Sequence, residues 1–176
     1  MTRVLIPALI LSTAAMGAAA CSDNDNPTGP SDDTIVFRAT LSSANEVPPI
    51  TNAEAGAGGV ANITFHPTRD GGGNITGGTF DFEVSLQNFP ANTPLTAAHI
   101  HTGGAGSNGG IVVNTGLASG QVTLANGSGG FTRTDASPQS PDIARQIVDN
   151  PAGFYFNVHT QLNPGGAVRG QLVRIE

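Results

Sequence analysis

Phe80-Asp81-Phe82-Glu83-Val84-Ser85-Leu86-Gln87 alternates four apolar with four polar side chains. Successive side chains of an extended strand point to opposite faces, so this octapeptide has one greasy face and one wet face. A helix of 3.6 residues per turn would scramble them. Shorter runs with the same period lie at 34–41, 60–66, 97–101, 111–113, 120–124, 130–134, 154–160 and 168–175. Between them stand Asp70-Gly71-Gly72-Gly73-Asn74, Asn126-Gly127 and Asn163-Pro164-Gly165-Gly166, which supply the positive φ values or fixed proline φ that tight turns require. One helix is expected near 141–149, where Ser140 can cap, Pro141 and Asp142 suit a first turn, and Ile143 and Ile147 share a face. These signals predict an all-β fold, an antiparallel β-sandwich with one short helix.

The N-terminal region reads differently. Arg3 precedes an apolar, small-residue run from Val4 to Ala20, the pattern of a signal peptide over 1–20. The run ends in Ala18-Ala19-Ala20-Cys21, which resembles a bacterial lipobox, so Cys21 is expected to become a lipidated N-terminus. The alternative is ordinary cleavage at an Ala-x-Ala site, leaving Cys21 a free terminal thiol. As the sole cysteine it excludes an intramolecular disulfide. Residues 21–33 are polar, acidic and interrupted by Pro27 and Pro30, with almost nothing to bury, and are expected to form a flexible tether between the anchor and a domain spanning 34–176. The expected location is the cell envelope, with the protein anchored to a membrane through Cys21 and facing the periplasm or the exterior. A formal charge of −6, carried with no lysine and no arginine cluster, argues against nucleic acid as a partner.

Three segments carry a resemblance: Asn45-Glu46-Val47-Pro48-Pro49, then Ala98-His99-Ile100-His101, then Tyr155-Phe156-Asn157-Val158-His159-Thr160 followed by Gly166-Ala167-Val168-Arg169-Gly170-Gln171-Leu172. In this order they resemble the CHRD (chordin-type) domain from about residue 35 to residue 173. The resemblance implies an immunoglobulin-like or superoxide-dismutase-like sandwich, and no settled activity. At Ala167 the chain departs from the acidic residue common in the family, and the glycine-rich loop after His101 has no obvious counterpart.

His99 and His101 lie two apart in a strand and therefore share a face. In 154–160 the apolar set Phe154, Phe156 and Val158 leaves Tyr155, Asn157 and His159 opposite. With Ile100 and that apolar set facing the core, three imidazoles converge on a non-core face, a competent set for copper or zinc. The alternative is that they hydrogen-bond to backbone or to Asn157 and Tyr155 and fix the loop 102–110, which is otherwise expected to be mobile. Glu46 and Arg169 are expected to support the site, most simply as an ion pair. A register placing Phe156 beside Leu172 would also set His159 opposite Arg169. His66 is read as a solvated strand end, and Asp81 and Glu83 as the solvated face of their strand. No nucleophile elbow, phosphate loop or His-Glu-x-x-His motif is present. The leading expectation is a non-catalytic binding or structural module whose ligand is an unidentified protein or small molecule. The runner-up is a metal-binding protein or metalloenzyme using the three histidines.

Overall fold

The structure, a computed structural model, describes residue 1 and residues 33–176. The leader beyond residue 1, Cys21 and all of the tether but residue 33 therefore lie outside the described residues. The described residues form ten strands: β1 (Ile35–Ser42), β2 (Gly58–Arg69), β3 (Ile75–Gln87), β4 (Thr93–Thr102), β5 (Ile111–Asn114), β6 (Thr123–Leu124), β7 (Gly129–Ala136), β8 (Phe154–Thr160), β9 (Val168–Gln171) and β10 (Val173–Arg174). The one α-helix among the described residues, α1 (Pro141–Asp149), begins where Ser140 accepts from the Ile143 amide at 3.4 Å.

The strands run β5-β4-β8-β9-β1-β2-β3-β7 in one sheet, with β10 added to β1 and β6 to β4, and every pairing is antiparallel. This sheet is nearly closed into a barrel. Although β3 and β8 are distant in the strand order, the rings of Phe82 and Phe156 stack at 5.5 Å between centroids. The two layers are thus halves of one sheet curled over a shared core, not two separate sheets. Phe80, Phe82, Val84 and Leu86 all turn inward and are buried, joined by Phe37, Ile63, Phe65, Ile100 and Val158. Each such side chain contributes about 1.5–3 kcal/mol by leaving water.

A second layer of packing positions the site. All seven residues of β8 are buried, including Tyr155, Asn157 and His159 on the face away from the apolar core. Loops cover that face. Asn108 Nδ2 donates to the Val47 carbonyl at 2.9 Å, the Thr102 amide to Gly110 O at 3.0 Å, and the Gly103 amide to Gly153 O at 2.8 Å. The loop 102–110, expected to be mobile, is therefore tied at both ends and in its middle. Glu54, fully buried, accepts from Thr160 Oγ1 at 2.8 Å and from Asn163 Nδ2 at 2.5 Å, fastening the segment before β2 to the turn after β8.

Candidate metal centre

Pairing of β4 with β8 sets His99 opposite Asn157, His101 opposite Tyr155 and His159 opposite Ala97. All three imidazoles stand on the loop-covered face, and each residue is only 8 % exposed. One nitrogen from each lies within 4.8 Å of the other two. His99 Nδ1 and His159 Nε2 are 3.1 Å apart. Two backbone carbonyls orient the trio: Gly109 O lies 3.1 Å from His101 Nδ1, and Pro164 O lies 2.9 Å from His159 Nδ1. A carbonyl only accepts, so both Nδ1 atoms carry the proton and both Nε2 atoms present a lone pair. His159 Nε2 uses its lone pair to accept from His99 Nδ1, while His101 Nε2 is buried with no partner among the described residues.

The electrostatics favour neutral rings. The His99 pKa is lowered to about 4, first by burial and then by His159 and His101. Burial also lowers His101 and His159, against the raising effect of the carbonyls that hold them, and Arg169 adds a lesser lowering at His101. Imidazoles held neutral in this way need lose no proton to water before they bind a cation. Bonds of about 2.0–2.1 Å would set three nitrogens about 3.3–3.6 Å apart, so closure by about an ångström, within reach of small side-chain rotations, would complete a three-nitrogen site.

Around this trio the supporting residues are arranged differently from expectation. Asn157, not His159, lies opposite Arg169, because β8 and β9 pair Phe156 with Gly170 and Val158 with Val168. No ion pair joins Glu46 to Arg169. The Arg169 guanidinium, 1 % exposed, donates from Nε to Asn45 O at 2.6 Å and from Nη1 to Ser107 O at 3.1 Å and Asn108 Oδ1 at 2.9 Å. It also lies 4.6 Å from the Tyr155 ring centroid, and that ring stacks on His101 at 5.0 Å with planes 7° apart. Glu46 instead accepts from Asn157 Nδ2 at 2.8 Å. Its pKa is raised to about 7 by burial, with Arg169 pulling in the opposite direction. His66, exposed as expected, bonds to Asp81 at 3.0 Å, and Asp81 also accepts from the Asp135 amide at 2.9 Å, so Asp81 braces its strand rather than being merely solvated. Glu54 is the functional-looking residue that sequence reasoning missed; its partners lie more than a hundred residues downstream, beyond any local pattern.

The sequence matches the CHRD domain family over residues 37–172, which takes in the three histidines, Glu46 and Arg169. The chain belongs to the CHRD domain family. No match was found among curated proteins or among solved structures. What the site can do rests on the residues themselves.

Proposed function

We propose that this CHRD-domain chain is an exported protein, held to a membrane through Cys21, whose folded domain binds a zinc or copper ion at His99, His101 and His159 without catalysing a reaction of its own. The observation that carries the reading is the buried His101 Nε2, a lone pair without a partner among the described residues, on a ring whose Nδ1 is held by the Gly109 carbonyl, beside His159, held in the same way by Pro164 O, and His99, whose Nδ1 meets His159 Nε2. Orphaned buried polar atoms are rare and expensive, and a metal ligand whose second nitrogen is anchored to the backbone is the arrangement that removes the cost. Imidazole sets of this kind suit zinc and copper. The buried Arg169, which adds to the lowering of the His101 pKa, is a repulsive cost that the three imidazole ligands must outweigh. The competing reading, in which the histidines only fix loops, is favoured by the His99–His159 hydrogen bond.

Metal analysis of untagged protein after loading and desalting separates the two. Zinc or copper retained at one equivalent in the wild type, and lost in His101→Ala, supports the metal centre. Absence of both metals after loading leaves the loop-fixing role alone.

A further inference from the structure

The three imidazoles are nearly closed off from solvent, so an ion reaching them needs a path, and the covering loops show where one begins. Two clefts of about 390 Å³ each flank the bent segment 46–49, one bounded by Ala105, Gly106 and Gln171, the other by Asn108, Leu162 and Gly165. Glu46 lines both. Its Oε1 accepts from Asn157 Nδ2, while no donor among the described residues is bonded to Oε2. Asn157 is 2 % exposed and its Oδ1 has no partner, although it stands in register directly opposite His99. Gly166 leaves the room for this arrangement: a Cβ there would lie 2.9 Å from both Glu46 carboxyl oxygens and would collide with the Asn157 amide. Two oxygen atoms without partners among the described residues, one on a residue that lines both clefts and one on the strand neighbour of His99, thus connect the clefts to the strand pair that carries the nitrogen cluster.

Resting on the metal-centre reading, we infer that Glu46 is a capture ligand: it takes an incoming cation from the clefts and passes it, by way of the Asn157 amide oxygen, to the three imidazoles. An oxygen donor exchanges the water shell of a dication in stages and holds it less tightly than three nitrogens do, so the ion moves inward. A relay lowers the barrier in both directions and leaves the end states alone.

The test is stopped-flow uptake of Zn²⁺ by the metal-free protein, followed by release to excess chelator, in wild type, Glu46→Gln and Glu46→Asp. Glutamine keeps an acceptor for Asn157 and preserves the fold; aspartate keeps the charge one methylene further back and serves if glutamine does not fold. Glu46→Gln should slow uptake and release by about tenfold each, leaving Kd within about threefold, with Glu46→Asp between. Unchanged rates would overturn the relay while sparing the centre. Faster release with a matching loss of affinity would also overturn it, by making Glu46 a ligand of the resting site. Failure of the wild type to bind Zn²⁺ or copper at all would remove the centre and the relay together.

Discussion

Acid should unfold the metal-free domain through its histidine cluster, and His99 allows the size of the effect to be worked out. Its folded pKa is about 4, against an ordinary 6.5. Between those values the unfolded chain binds the proton and the folded one does not, so the stability is intact above pH 6.5 and is lost as pH falls toward 4. From pH 7.5 to pH 4.5 this one group should cost about 2 to 3 kcal/mol. His101 and His159, shifted in the same direction, steepen the loss. Glu46 works the other way: its folded pKa is raised from 4.5 to about 7, so the stability it contributes is present at low pH and lost as pH rises through neutrality. Comparing wild type with His99→Asn cancels the Glu46 contribution, because both proteins carry it. Urea denaturation in the presence of a chelator at pH 7.5 and 4.5 should therefore show the wild type losing about 2 to 3 kcal/mol more than His99→Asn. Equal losses in the two proteins would show that burial does not hold this imidazole neutral.

Phe82→Ala, which removes a fully packed ring stacked on Phe156, should cost about 3–5 kcal/mol in urea denaturation, and an unchanged midpoint would mean that the inward face of β3 is misassigned. Cys21→Ser should abolish incorporation of labelled fatty acid and release the protein from the membrane fraction; continued labelling would remove the lipoprotein reading.

Face assignment was legible in the sequence wherever alternation was clean, and neighbour assignment was not. The period of two at 80–87 and at 154–160 put every side chain on the side where it is found. The β8–β9 register expected from the Phe156–Leu172 pair is displaced by two residues, with Phe156 against Gly170. A slip of one would have turned Arg169 into the apolar core; a slip of two preserves the face and changes only the neighbour. For that reason the three histidines, Tyr155, Asn157 and Arg169 share a side although Asn157 holds the place expected of His159. The Glu46–Arg169 pair failed for a related reason. Charge alone suggested it, but Asn157 of β8 donates to the carboxyl, and the backbone carbonyls of Asn45 and Ser107 accept from the guanidinium. Loop order was equally hidden, since glycines at 103–110 signal conformational freedom locally, while the contacts that remove it come from Val47, Gly153 and Arg169.

Tyr155 is the chain's only tyrosine, and there is no tryptophan. Its buried ring lies flat against His101 and beneath Arg169. The protein's native fluorescence, and its absorption at wavelengths longer than the phenylalanine band, therefore arise almost wholly from one chromophore stacked on the proposed centre. A paramagnetic copper ion there would quench that emission, whereas zinc, with a filled d shell, would leave it bright. Occupancy and metal type can then be read optically, without a label, from the ring that the fold already holds in place.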